Sequence, residues 1–338
     1  MLRSSFARSI GWAVCVLAMN GCSCSDDPAT PPPRDSGPRD AVIPTGDSSP
    51  MDSGGGGTDS GPRSDSGGGG GDSGWAMGGS GFVASLVEKV DATMAGVAPG
   101  FNLDGRVSDA DTDAMGCFEL DYTSPDGVTG VDNEAAGPFG GALDTFSGGD
   151  FNATIRTAMG NGDLLVLLQL AQTDCGGAAS CEVAVDVARG LLPTGVTTAA
   201  VDGMGHLTAG QTFDVDGSSP IVSSIATLTG SDLSAQFPEL AISLPFGDAT
   251  ITLRLHEAHL TAHVASATRL DNGVVGGRLD INELAASIAA TGMFDMATAA
   301  AVLSSFGDLD PADASGTMCQ GISVAFVFEA VDADITPP

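Results

Sequence analysis

The feature that most constrains this chain is a period-two apolar pattern that recurs in short runs across its second half. Ile251, Leu253 and Leu255 alternate with Thr250, Thr252 and Arg254, and Ile322, Val324, Phe326 and Phe328 alternate with Ser323, Ala325, Val327 and Glu329. Successive side chains of a strand point to opposite faces, so alternation of this kind describes strands with one buried face. Continuous or mixed apolar runs at Leu164–Leu170, Cys181–Leu192, Ile221–Leu228 and Leu240–Phe246 are each bounded by Gly, Pro, Asp or Ser. Short strands separated by turn residues predict a mainly β, antiparallel sandwich or barrel-like domain. A few peripheral helices are expected as well. Phe82, Leu86, Val90 and Met94 recur at helical spacing and predict an opening helix. Further helices are expected from Phe151 to Met159, Ile281 to Ala290 and Met296 to Phe306.

That domain occupies residues 81–338, because what precedes it cannot fold. Residues 22–80 are dominated by Ser, Gly, Asp, Pro and Thr, with Asp-Ser-Gly recurring at Asp35, Asp52, Asp59, Asp65 and Asp72. Such a segment has too little apolar surface to offset its ordering entropy and is expected to be a disordered tether. As a flexible coil it reaches on the order of 40 Å. Gly71-Asp72-Ser73-Gly74 imitates a serine-nucleophile motif but is one copy of this repeat.

Residues 1–21 read as a signal peptide. Arg3 and Arg8 precede the apolar stretch Trp12–Met19, which is too short to span a bilayer. The stretch ends at Gly21-Cys22, so Cys22 is the expected site of lipid attachment, with Cys24 as its rival. Met19 and Asn20 depart from the usual lipobox. The expected location is the cell envelope, lipid-anchored at the outer membrane, with the membrane itself the one partner implied.

Composition excludes several functions. The 338 residues include 12 Lys and Arg against 43 Asp and Glu. Cleavage after Gly21 removes two of the basic residues and none of the acidic ones, which leaves a net charge of −33. A chain this acidic repels nucleic acid. Lys89 is the sole lysine, so a Walker phosphate loop or a Schiff base at any other position is excluded.

Four cysteines, Cys117, Cys175, Cys181 and Cys319, remain for the domain. An even set in an exported chain predicts two disulfides. Three pairings are open; the short Gly-Gly-Ala-Ala-Ser loop favours Cys175–Cys181, leaving Cys117–Cys319.

Two constellations could carry chemistry. Asp109, Asp111 and Asp113 alternate as in the start of a calcium loop, with Asp121, Asp126 or Asp132 available to complete a site for Ca²⁺. Ala114 and Leu120 replace the Gly and Glu that an EF-hand requires. His256, His259 and His263 would share a face on a helix and could then hold a metal for hydrolysis. On a strand His259 and His263 stand about 13 Å apart, and His256 points the other way unless a bulge intervenes. No catalytic residue is assigned.

The string Asp121-Tyr-Thr-Ser-Pro-Asp-Gly-Val-Thr-Gly-Val-Asp-Asn133 holds a tight turn at Ser124–Gly127. With the lipobox and the tether, it resembles a block in uncharacterised surface lipoproteins of myxobacterial genomes. The resemblance implies an outer-membrane or cell-surface location and a mainly β domain, and no activity. The expected function is therefore a non-enzymatic envelope lipoprotein with a structural, binding or adhesion domain. The alternatives are a hydrolase built on the three histidines and a carrier for a small apolar ligand inside the sheet.

Overall fold

The computed structural model describes residues 79–108, 117, 119–246, 249–312 and 318–338. The signal peptide, Cys22, Cys24, nearly all of the tether, and Asp109, Asp111 and Asp113 lie outside them. The described chain opens with β1 (Ser80–Glu88), a small hairpin of β2 (Tyr122–Thr123) and β3 (Thr129–Val131), and helices α1 (Pro138–Phe146) and α2 (Phe151–Asn161). Then come β4 (Val166–Leu170), β5 (Ser180–Leu191), β6 (Gln211–Val215), β7 (Val222–Thr229), β8 (Asp232–Phe246), β9 (Ala249–Ser266) and β10 (Arg269–Asp280). Helices α3 (Ile281–Ala290) and α4 (Met296–Leu303) follow, and β11 (Leu309–Pro311) precedes the long last strand β12 (Cys319–Thr336). The fold is mainly β.

Eight strands close on themselves. β1 pairs β4, β4 pairs β5, β5 pairs β7, and β7, β8, β9 and β10 follow in sequence order. β10 pairs β12, and β12 returns to β1. Every pairing is antiparallel, so the sheet expected from the alternating pattern is a barrel. Closure removes the free edges that would otherwise template aggregation. An eight-stranded barrel is just wide enough for side chains to fill it or for one small ligand to lie inside.

β6 adds a second ring. It runs parallel to β12 at Ala333–Thr336 and antiparallel to β5 at Gly190–Leu191. Phe213 and Val215 of β6 are buried, and so are consecutive residues of β1 and β4: Phe82 to Ser85 and Leu167 to Leu170. These two strands have protein on both faces. That corrects the helix expected over Phe82–Met94: a strand buried on both faces loses its alternation, and positions 82 and 86 match a helical period by coincidence.

Helices α2, α3 and α4 take their starts from aspartates, one use for so acidic a sequence. Asp150 accepts from the Ala153 amide (2.8 Å), Asp280 from those of Asn282 and Glu283, and Asp295 from that of Thr298. Each satisfies an otherwise orphaned N–H and complements the helix dipole. α2 ends at Gly162, whose φ of 80° suits glycine. This helix packs against β1 and β8, which face each other across the ring, and its Phe151 ring lies 6.0 Å from that of Phe326. It therefore lies across one end of the barrel.

Both expected disulfides are present. Cys117–Cys319 links the segment before β2 to the start of β12, and Cys175–Cys181 closes a tight loop before β5.

Candidate functional site

The barrel is not completely filled. A cavity of about 140 Å³ lies within it, and all eight ring strands contribute to its lining. Val87, Val187, Val222, Ile242, Leu260 and Phe328 are among the contributors. Gly273 makes room for one of them, since a β-carbon there would come within 2.5 Å of the Phe328 ring. The β10 backbone thus packs closely on the Phe328 ring at this point.

The opening has a structural cause. β7 and β8 form ladder pairs only at Thr227–Thr229 and Asp232–Ser234, next to their turn. β7 continues back to Val222 and β8 on to Phe246, yet beyond the hairpin the two are joined by a single bond, from Ser224 Oγ to the Gln236 carbonyl (2.5 Å). Val222 and Leu240–Ser243 line the cavity from the two sides of this seam. Val187, Val222 and Ile242 are only half-buried although they occupy interior positions. Around the mouth stand Ser219, Ser243, Asp163 and Arg189.

Against β12 sits a second group of polar side chains. The block Asp121–Asn133 forms the β2–β3 hairpin, and its polar residues fasten a covering loop to the barrel. Asn133 donates to the Pro99 carbonyl (2.7 Å) and accepts from the Ala325 amide (2.9 Å). The Glu134 amide donates to Ser323 Oγ (3.0 Å), and Ser323 in turn donates to the Asp308 carboxyl. Asp132 accepts from the Leu103 amide (2.6 Å), and Asp121 from that of Ser108 (2.5 Å). The Ser124 hydroxyl donates to Asp126 and accepts from the Val128 amide. The block works as a bracket.

Burial sets the charge state of that bracket. It pushes Asp132 up to about 8, reinforced by Asp104, Asp121 and Asp308 and opposed by the Leu103 amide. It pushes Glu134 up to about 8 as well, with the Glu119 carboxylate adding to the effect. Asp308 lies well above the ordinary carboxyl range because it is buried beside Glu134, the Ser323 bonds offsetting part of this. Tyr122 is pushed up to about 12 by burial and by Glu134, Glu119 and Asp308. Burial thus favours the protonated forms of Asp132, Glu134 and Asp308. Among the described residues no three His, Cys, Asp or Glu side chains are placed to hold a metal ion. Asp121 and Asp132, two of the residues expected to complete a calcium site, accept from the Ser108 and Leu103 amides of the covering loop, and the third, Asp126, accepts from the Ser124 hydroxyl.

The histidines have separate surroundings. Glu257 (φ 49°) forms a bulge, since three steps of β9 from His256 to His259 face two steps of β10. The bulge puts His256 on the same outer face as His259 and His263. Even so, His256 Nε2 meets Glu283 (2.9 Å) and His263 Nδ1 meets Asp232 (3.0 Å). His259 packs on the Phe101 ring, 5.2 Å between centroids, and burial pulls it below the usual histidine range, with Glu257 opposing. The face is shared and the partners are not, so the metal-dependent reading of His256, His259 and His263 finds no assembled ligand set.

Lys89 is structural. Burial alone would lower it, but bonds to Asp91 and Asp144 outweigh this and hold it above its ordinary value. No protein-family description, curated protein or solved structure matches this chain.

Proposed function

We propose that this chain is a cell-envelope lipoprotein whose barrel binds a small apolar ligand. The observation that carries the reading is the apolar cavity, lined from all eight strands and open at the β7–β8 seam. An apolar void of about 150 Å³ stays dry and takes up benzene, so a cavity of this size suits a ring or roughly six carbons of a chain. Apolar surface around a preformed space, with few polar groups at the mouth, is the usual composition of a small-molecule site. Two disulfides support an oxidising compartment. Cys22 and the segment that follows it supply the anchor and the reach, in keeping with the resemblance to surface lipoproteins.

Two experiments test it. Titrating the protein calorimetrically with the neutral one-ring probe benzene is expected to give a saturable binding signal. Val222→Trp fills the seam from a half-buried position and is expected to weaken that binding at least tenfold, about 1.4 kcal/mol. Its melting temperature should stay close to that of the wild type. A saturable signal that Val222→Trp leaves unchanged would place the probe elsewhere and defeat the reading. For the anchor, cells fed labelled palmitate are expected to label the wild type and the Cys24→Ser variant but not Cys22→Ser. Labelling that follows Cys24 would move the anchor two residues along.

A further inference from the structure

We infer that the ligand is a single-chain amphiphile whose anionic head is held by Arg189 at the seam while its apolar chain lies in the barrel. This rests on the apolar-binding reading above and adds the ligand's chemical class. Arg189 falls on the same face of β5 as Val185 and Val187, and it is the sole cationic residue in the cavity lining. Among the described residues its one charged contact is Asp216, 3.6 Å away, which is beyond hydrogen-bond distance. Asp216 is already served by the Ser218 amide (2.9 Å), Ser218 Oγ (2.6 Å) and Ser219 Oγ (3.2 Å). The guanidinium therefore meets the mouth of an apolar space with no side-chain acceptor within hydrogen-bond distance.

A guanidinium presents a planar fork of donors that matches a carboxylate or phosphate with two parallel bonds. Ser219 and Ser243 also line the opening, the Ser219 hydroxyl being engaged by Asp216. Asp163 at the opening, Asp216 beside the guanidinium and the overall negative charge oppose an anion. Charges more than about 8 Å away are largely screened at physiological salt, and the fork alone acts in direct contact. A contact bond to a charged group contributes about 1.5–3 kcal/mol, or roughly tenfold or more in affinity. The direct contact outweighs the screened repulsion. An alkyl chain longer than the cavity continues outward through the seam.

Calorimetric titration of the mature, full-length protein with octanoate, octanol and octylammonium separates the contributions, because the three share a chain and differ in the head. Octanoate is expected to bind about tenfold more tightly than octanol, and octylammonium more weakly than either. Arg189→Gln is expected to bring octanoate down to the level of octanol or below, with octanol binding unchanged. Equal binding of octanoate and octanol by the wild type would overturn the assignment to Arg189 while leaving the apolar site standing. Tightest binding of octylammonium would overturn it too, by showing that Asp163 and Asp216 govern the mouth. Binding of none of the three would remove the apolar-binding reading itself. A loss of all three ligands in Arg189→Gln would show a structural role for the arginine and would also count against it.

Discussion

Replacing Cys117 and Cys319 with serine is expected to lower the stability of the domain by about 5 kcal/mol. The bridge spans 202 residues, and closing a loop of that length removes on the order of 5 kcal/mol of entropy from the unfolded chain. The same reasoning gives about 2 kcal/mol for Cys175–Cys181, six residues apart. Denaturant titration of the two double-serine variants checks both the size and the order of these losses. An equal effect of the two bridges would show that loop length does not control stability here. The larger bridge also has a positional consequence. It joins the covering segment to the start of β12, the strand that carries Ser323 and Ala325. Its loss is therefore expected to loosen the bracket first, seen as faster amide exchange at Glu134 and Ala325.

The second large effect is a fall in stability as pH rises. Asp132 and Glu134 titrate at about 8 when folded, against 3.8 and 4.5 for the unexposed-to-neighbours reference groups, and Asp308 is raised in the same direction. The folded state thus holds protons that the unfolded state releases. Stability from these groups is fully present below about pH 4, declines as the unfolded chain ionises, and is lost as pH passes through about 8. Each group can change stability by up to about 1.4 kcal/mol per pH unit within that window, and all act in the same direction. Melting temperatures between pH 4.5 and 9 should drop steadily and then level off. Glu134→Gln keeps a neutral side chain at every pH and is expected to flatten that slope; a slope unaffected by the change would point to general charge repulsion instead. At low pH the sign reverses at the start of α4, because the Thr298 amide and hydroxyl hold Asp295 below its ordinary value.

Much of the fold could be read from the chain, and the exceptions have physical reasons. The strands with one solvated face, such as the start of β9, announced themselves by alternation, and three of the four helices lay where alanine-rich or periodic segments stood. β1 did not, because β6 and its neighbours cover its second face. β10 was hidden by Gly273, Gly276 and Gly277, which look like loop punctuation. In the barrel they are close-approach positions: a β-carbon at Gly277 would stand 2.8 Å from the His256 carbonyl oxygen. α1 (Pro138–Phe146), with its Gly140–Gly141 pair, gave little helical signal.

The candidate site was far less legible. Its lining takes one or a few apolar residues from each of eight strands, and nothing distinguishes Val222 or Ile242 in sequence from a filled-core residue. The seam follows from where the β7–β8 ladder stops, which no local pattern records. The bracket left a partial trace in the Asp121–Asn133 block, but its third acid, Asp308, comes from a distant segment. The histidine pattern is visible in the sequence, whereas the bulge at Glu257 that aligns the three rings and their separate partners, Glu283, Phe101 and Asp232, arise only from tertiary structure.

The most direct test of the central claim is a crystal of the domain pressurised with xenon, which enters apolar voids without needing any specific bond. The account predicts a strong xenon site inside the barrel, bounded by Val187, Val222, Ile242 and Phe328. A barrel interior without xenon, with sites only elsewhere, would contradict it and leave a filled, purely structural domain.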